Sequence, residues 1–408
     1  MNFTFLHAAD LHLGSPLRGL SLRDEALGQK LAGASREAFV ELIDRALAEK
    51  IAFAIFAGDI FDGDWRDAAI ALFFNRQIAR LAKAKIPIFL LKGNHDADSV
   101  VTKSLVLPDL AQNFPTGRAG TFELPELRVA LHGRGFSRRA ESENLARALP
   151  APKPGWFNIG VLHTSLDGRP GHAAYAPCSL DDLRAKNYDY WALGHVHAFE
   201  LVARDPYIVF PGNLQGRSIR ETGAKGAVLL DVADGQVKDV RRLIVDRARF
   251  CEIALDAASH DDMTGLLRAL EARAGDEVLL AEGRPLALRV RIHGASPLHA
   301  ELAADPAGWR DQIEAVAQRA HEDVAIERLL LETEAPVAAK RLDQDFDFAG
   351  LLDACLADPD LREAARAVLE IVEAKIPAPG LELRAELESL LRAARDLAVA
   401  RVEGEAKS

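Results

Sequence analysis

The sequence predicts an α/β sandwich over roughly its first 240 residues, then a small α+β module, then a helical tail. Three observations lead there. Short apolar runs alternate with stretches of helical periodicity, as in a sheet whose strands are buried on both faces. Several of those runs end abruptly in Gly, Asp, Asn or His. Beyond Phe250 the pattern changes to a short β-α-β-α-β order and then to helix alone.

The first strand is "FTFLHAAD", followed by a long amphipathic stretch from Leu22 to Lys50. "IAFAIFAGD" is the second strand, "RDAAIALFFNRQIARLAKA" the next helix, and "IPIFLLKGNHD" the third strand. "LRVALHG", "FNIGVLHTS", "YDYWALGHVH", "YIVFPG" and "KGAVLLDV" continue the strand series and place the first domain at residues 1–245. Residues 246–338 form the second domain, a cap with strands at "FCEIALDA", "LALRVRIHG" and "IERLLLETE" and helices around "MTGLLRALEARA" and "WRDQIEAVAQRAHE". Residues 339–408 are the helical tail, broken at "KIPAPG", where two prolines and a glycine stop a helix. Its last helix spaces Leu383, Leu387, Leu390, Leu391, Ala394 and Leu397 along one stripe, which suits packing on the body of the chain and docking on a partner's helices equally well.

Composition narrows the function classes. The 408 residues are 49% hydrophobic and 27% charged, the balance of a folded globular chain. The longest apolar run, "IAFAIFAG", is too short to span a bilayer, and "MNFTFLHAADLHLG" lacks the basic start and long apolar core of a secretory signal, so a cytoplasmic location with no membrane partner is expected. Cys178, Cys251 and Cys355 are odd in number and without Cys-x-x-Cys spacing, which excludes a disulfide framework and a thiolate zinc knot and leaves them as small buried residues. A net charge of −11 argues against a broad cationic surface that grips nucleic acid unaided, although about half of the excess lies after residue 340.

The chemistry is carried by strand ends. In "WALGHVHAFE", His195 and His197 lie two residues apart, so in extended backbone their imidazoles share a face. Alone, such a pair is more often a solvated hairpin than a ligand set. It gains partners in Asp10 and His12 of "AADLHLG", Asp59 of "AGDIFDGD", Asn94, His95 and Asp96 of "LKGNHDAD", and His163 of "VLHTSLDG". Strand C-termini of an α/β sheet collect at one edge, where five scattered segments can converge. Carboxylate, amide oxygen and imidazole without thiolate suit manganese, iron or zinc rather than an all-oxygen calcium cage. Seven candidate ligands are too many for one ion, and a bridging Asp59 would allow two ions about 3.5–4 Å apart.

In this order, Asp-x-His, Gly-Asp, Gly-Asn-His-Asp, a strand-end His and Gly-His-x-His resemble the calcineurin-like metallophosphoesterases. "HAADLHLGSP", "FAGDIFD", "YAPCSLDDL" and "FPGNLQGRSIRETGAKGAVLLDV" resemble the SbcD branch of DNA-repair nucleases within that superfamily, especially its YhaO-type bacterial members. The resemblance implies a two-sheet metallophosphoesterase sandwich with cap and helical tail, and a two-metal phosphodiesterase acting on DNA as an exonuclease, with endonuclease ability, beside an SbcC-like coiled-coil ATPase bound through the C-terminal helices. It implies two divalent ions, Mn2+ first and Fe or Zn next, one held by Asp10, His12, Asp59 and His197, the other by Asp59, Asn94, His163 and His195. His95 is then the general acid, with Asp96 orienting it or holding the loop. Relatives in this branch carry a homodimer, for which the Leu22–Lys50 helix offers no unusual apolarity. The competing expectations are a phosphatase or nucleotide phosphodiesterase with small substrates and a non-catalytic scaffold.

One departure stands out. Nuclease relatives commonly carry His three residues after the bridging Asp, where this chain has Asp62, which is expected to cap the following helix. His172 and Tyr175 lie on a Gly/Pro-rich loop and are as well read as surface residues as substrate contacts. Arg217, Arg220 and Lys225 are placed to meet phosphates, though scattered surface cations are commoner. His7 and His132 are expected to be core or loop histidines.

Overall fold

The structure is a computed structural model that describes residues 1–15, 25–62, 68–97, 106–168, 175–336, 347–375 and 386–405. The chain divides into two compact units, Met1–Cys251 with Ala281–Ala287, and Glu252–Leu280 with Leu288–Ser408.

The first unit is a sandwich of two six-stranded mixed sheets. One contains β1 (Phe3–Ala8), β2 (Phe53–Ala57), β3 (Ile88–Leu91), β4 (Ala111–Asn113), β11 (Gly226–Ala233) and β12 (Gln236–Ile244), in the order β12-β11-β1-β2-β3-β4. The other contains β5 (Gly120–Leu124), β6 (Val129–Gly133), β7 (Phe157–His163), β8 (Tyr190–Gly194), β9 (Glu200–Arg204) and β10 (Tyr207–Phe210), in the order β5-β6-β7-β8-β10-β9. β1 to β4 run parallel, as do β6, β7, β8 and β10, so their C-termini end at one rim of each sheet.

Strand alternation sorts the apolar side chains between two environments. Phe5, Phe53, Ile55 and Phe89 point into the sandwich against Val129, Phe157, Ile159 and Tyr190 of the other sheet. The rings of Phe5 and Phe53 stack with centroids 4.8 Å apart. Leu6, Ala54, Phe56 and Leu90 point the other way, onto Phe39, Leu42 and Ile43 of α1 (Glu25–Ala48) and Phe74, Ile78 and Leu81 of α2 (Ala68–Lys83). Each buried aromatic stabilises this arrangement by about 1.5–3 kcal/mol. His7 belongs to the sandwich interior, with Nδ1 2.8 Å from the Tyr190 hydroxyl and Nε2 3.1 Å from the Leu193 carbonyl, and burial lowers it to about 3. His132 bridges Thr121 and Asn158 at 2.9 and 3.1 Å.

β13 (Arg249–Asp256), β14 (Leu286–Ala295) and β15 (Val324–Glu334) form a three-stranded sheet, most of whose residues belong to the second unit, with helices at Met263–Ala281, His299–Ala304 and Pro306–Ala320. The helix expected around "WRDQIEAVAQRAHE" starts earlier, at Pro306, where Asp305 caps it by accepting from the Gly308 N–H, and the short helix His299–Ala304 precedes it. The tail adds helices at Phe348–Leu356, Pro359–Lys375 and Leu387–Glu405. Of the last-helix stripe, Leu383 lies outside the described residues, Leu387 is buried and Leu390 and Ala394 are exposed. Arg395 ties this helix to Asp353 at 2.9 Å. Cys178 and Cys251 are buried, but Cys355 is exposed, which corrects the expectation for that residue, since its helix turns it outward.

Candidate metal centre

The five segments singled out in the sequence leave their strands at the same rim and meet there. Asp10 and His12 follow β1, Asp59 follows β2, Asn94, His95 and Asp96 form the short helix Asn94–Ala97 after β3, His163 ends β7, and His195 and His197 follow β8. The backbone is bent hard to present them. Asp10, His12, Asp59 and His195 have φ of 51°, 42°, 52° and 103°, conformations that cost L-residues free energy and persist where surrounding structure enforces them. Two glycines permit the close approach. A Cβ at Gly58 would lie 2.4 Å from His163 Nδ1, and one at Gly194 would lie 2.0 Å from the Ala57 carbonyl oxygen. Hence each turn pairs Gly with the ligand-type residue that follows it.

Donor atoms cluster in two overlapping groups. Asp10 Oδ1 is 4.0 Å from His12 Nε2 and 3.6 Å from His197 Nε2, and those two nitrogens are 3.2 Å apart. Asp59 Oδ2 is 3.4 Å from His163 Nε2, which is 3.1 Å from Asn94 Oδ1. Between the groups, Asp10 Oδ1 is 4.0 Å from His163 Nε2, and Asp59 Oδ2 is 3.8 Å from His12 Nε2. Donors around an ion at about 2.1 Å stand roughly 3–4 Å from one another, so these spacings fit. The His195 ring lies 5.3 Å from the His163 ring, and its backbone N–H donates to Asp10 Oδ2 at 2.9 Å.

The far side of the imidazoles fixes which nitrogen faces inward. His163 Nδ1 is 2.9 Å from the Ala57 carbonyl, His12 Nδ1 is 3.3 Å from Asp62 Oδ1, and His197 Nδ1 is 2.8 Å from Glu221 Oε1. Carbonyl and carboxylate oxygens only accept, so each Nδ1 donates outward and each ring turns its Nε2 toward the centre. Burial, with the Arg217 charge adding to it, lowers His12 to about 3 and keeps it neutral. Two unprotonated nitrogens 3.2 Å apart repel, which a shared proton or a bound cation relieves. Asp10 Oδ1 is fully buried with no hydrogen-bond partner among the described residues, and burial raises that carboxyl despite the nearby His163 and His197. An orphaned buried carboxylate oxygen among ring nitrogens is what a divalent cation would satisfy, and the residues fit such an ion.

His95 and Asp96 divide differently from expectation. The Asp96 carboxylate accepts from the backbone N–H groups of Ile60, Phe61 and Gly93 at 3.0–3.2 Å, tying the loop after β2 to the loop after β3. Burial and then the charge of Asp59 push it up to about 6 against those donors. His95 takes Asp62 as its partner, Nδ1 to Oδ1 at 2.9 Å, and its side chain is 28% exposed. Burial lowers its proton affinity, but Asp62 and Asp59 outweigh that and raise it. Asp62, expected to cap a helix, therefore stands between His12 and His95, and their hydrogen bonds hold its carboxyl below the usual range although burial opposes this. Residues 63–67 of that helix start lie outside the described residues.

Sequence reasoning missed Glu221. Its carboxylate accepts from His197 Nδ1, Asn213 Nδ2, and Arg217 N and Nη2, all at 2.8 Å. Burial would raise it, and His197 and Arg217 outweigh burial and lower it. A single Glu in "GRSIRETGAK" gives no periodic signal, and only the folded loop brings it to His197. Lys225 is buried and donates from Nζ to the His197 carbonyl at 2.9 Å, so it supports the ligand loop rather than meeting solvent. Arg220 is exposed, the Tyr175 ring lies 5.6 Å from that of His195, and His172 falls outside the described residues.

The calcineurin-like phosphoesterase family matches residues 3–199, and the middle domain of metallophosphoesterase YhaO matches residues 250–334. The chain is 32% identical over 367 residues to the uncharacterized metallophosphoesterase YhaO of Bacillus subtilis (strain 168), covering 86% of each. It is 27% identical over 258 residues to the DNA double-strand break repair protein Mre11 of Sulfurisphaera tokodaii, covering 59% of this chain and 62% of that one. With the relative matched over most of both chains and a buried Asp/His cluster able to bind metal, this chain belongs to the calcineurin-like metallophosphoesterases, a family of metal-dependent phosphoesterases with a dimetal centre.

Proposed function

We propose that the chain is a DNA phosphodiesterase, an exonuclease with endonuclease ability, that works in the cytoplasm beside an SbcC-like ATPase. The observation that carries the reading is the convergence of Asp10, His12, Asp59, Asn94, His163, His195 and His197, with an unpartnered Asp10 oxygen and inward Nε2 atoms at its middle. Two divalent ions held there, with manganese the best match to this oxygen and nitrogen set, would supply Lewis acidity and a nucleophile at neutral pH. The protein's own groups do the rest. Asp62 accepts from His95 Nδ1 and so leaves Nε2 of a protonated His95 to hand its proton to the departing sugar oxygen. Asp96 holds the two ligand loops in register through its three backbone donors. The similarity to a protein named for DNA double-strand break repair supports DNA as the substrate class.

The tail supports a helical partner. On the helix Pro359–Lys375, Leu361, Val368 and Ile371 are 44%, 58% and 56% exposed at spacings of seven and three, the seam of a helix that packs against another. Among the described residues no helix is long and apolar enough to cross a membrane.

The test is to incubate the purified chain and manganese with end-labelled duplex DNA, single-stranded DNA and a chromogenic diester. Cleavage of DNA is expected. Cleavage of the diester alone would favour a small-substrate phosphodiesterase. Deleting residues after 340 should abolish co-purification with the ATPase while sparing diester hydrolysis, and retained co-purification would refute the docking role of residues 339–408.

A further inference from the structure

We infer that Arg217 is a substrate-binding residue, its guanidinium gripping a non-bridging oxygen of the phosphodiester at the metal centre. This inference rests on the phosphodiesterase reading above and names the residue that would position its substrate.

The geometry is that of a cation held tightly by one edge and faced by a carboxylate at longer range on the other. Glu221 takes the inner edge, with Arg217 Nη2 to Oε1 at 2.8 Å and Nε to both carboxylate oxygens at 3.3 Å. The Arg217 backbone N–H binds the same carboxylate at 2.8 Å, so the residue is fixed at both ends. Nη2 also lies 3.2 Å from His197 Nδ1, which places the guanidinium plane against a candidate metal ligand. Nη1 is different. It makes no hydrogen bond among the described residues, and its nearest charged neighbour is Asp62 Oδ1 at 3.9 Å, the atom that also holds His95 and His12. The side chain is 21% exposed, enough to reach an incoming group without leaving its support.

Charge makes the placement useful. Asp10, Asp59, Asp62 and Glu221 each stand against one of the clustered histidines, and a phosphodiester brings another negative charge to the group. Glu221 takes the Nε and Nη2 edge of Arg217, and Asp62 faces Nη1 only at longer range. Nη1 therefore keeps donors available on the side of Asp62, the carboxylate that also holds His95, for oxygens of a bound phosphate that would gather charge as the bond breaks. A planar guanidinium held in advance loses little freedom on binding such an oxygen, whereas a lysine would offer a mobile point charge. Arg220, exposed on the same loop, has no comparable support and is not part of the site.

The test uses the full chain loaded with manganese and compares wild type with Arg217→Met and Arg217→Lys. Three quantities are read: metal content, the affinity for inorganic phosphate by calorimetry, and kcat/KM on a chromogenic diester. Metal content should be unchanged, because Glu221 still holds His197 Nδ1–H. Phosphate affinity should fall about tenfold or more in Arg217→Met, as for loss of a charge-assisted hydrogen bond. kcat/KM should fall on the order of 100-fold. Arg217→Lys, which keeps the charge and most of the volume, should fall between wild type and Arg217→Met in both. Unchanged phosphate affinity in Arg217→Met would overturn the inference. So would metal loss in parallel with activity, which would mean that Arg217 acts only through His197. Wild-type protein that binds manganese but neither phosphate nor diester would instead overturn the phosphodiesterase reading beneath it.

Discussion

Replacing Asp10 with Asn should make the metal-free protein more stable and the metal-supplied protein less so. The Asp10 carboxylate is fully buried, accepts one hydrogen bond from His195 N–H at 2.9 Å, and leaves Oδ1 facing His197, His12 and His163 Nε2 at 3.6, 4.0 and 4.0 Å. An amide keeps the first bond through its oxygen and turns a donor, in place of an unpaired oxygen, toward the neutral His12 Nε2. Removing a buried charge whose compensation is incomplete should gain about 1–2 kcal/mol. That corresponds to a Tm about 2–8 °C higher in chelator for a domain of this size. Manganese at a hundred times its Kd should stabilise wild type by about 2.7 kcal/mol, and the variant should lose most of that increment. Thermal melts of both proteins in chelator and in manganese decide the matter. A variant that melts lower than wild type in chelator, or keeps the full manganese shift, would refute the reasoning.

Other expectations follow from the same geometry. His95→Ala should retain metal, measured by elemental analysis, while turnover falls by about 10²–10⁴-fold, and loss of metal with it would mean that His95 is a ligand. His163 is subject to burial, which disfavours its charge, but Asp59 and Asp10 outweigh it and push it up to about 9 from an ordinary 6.5. Its protonated form therefore stabilises the metal-free fold fully below pH 6.5 and ceases to do so as pH rises through about 9. Since an imidazole must be neutral to coordinate, manganese affinity should rise over that same interval, and calorimetry showing a flat profile would contradict it. Gly194→Ala would place a Cβ 2.0 Å from the Ala57 carbonyl oxygen and should cost at least about 3 kcal/mol in denaturant melts, with near-normal stability counting against the close approach.

The sequence made some parts of this legible and not others, for physical reasons. Buried strands announce themselves because both faces are apolar, so β1, β2, β3, β6, β7, β8, β10 and β11 all fall within the runs that mark strands. β4, β12, β5 and β9 do not, and these are the edges of the two sheets. An edge strand such as "QVKDVRRLI" or "ELVAR" keeps one side in water and carries charge there, which erases the apolar run. Strand-end residues were legible because Asp-x-His and Gly-His-x-His are local patterns. Glu221 and the role of Asp62 were not. Their partners lie 24 residues away for Glu221 and 50 and 33 residues away for Asp62, distances closed only by loop geometry. Asp96 shows a different limit, since the number of backbone donors reaching a carboxylate has no signature in residue type.

The most direct measurement is anomalous scattering at the manganese edge from crystals of the chain grown or soaked with that metal. The account predicts two peaks about 3.5–4 Å apart, with Asp59 touching both, Asp10, His12 and His197 on one side, and Asn94, His163 and His195 on the other. A map with no peak in this cleft, or with the Asp10, Asp59 and His163 side chains turned away from one another, would contradict it.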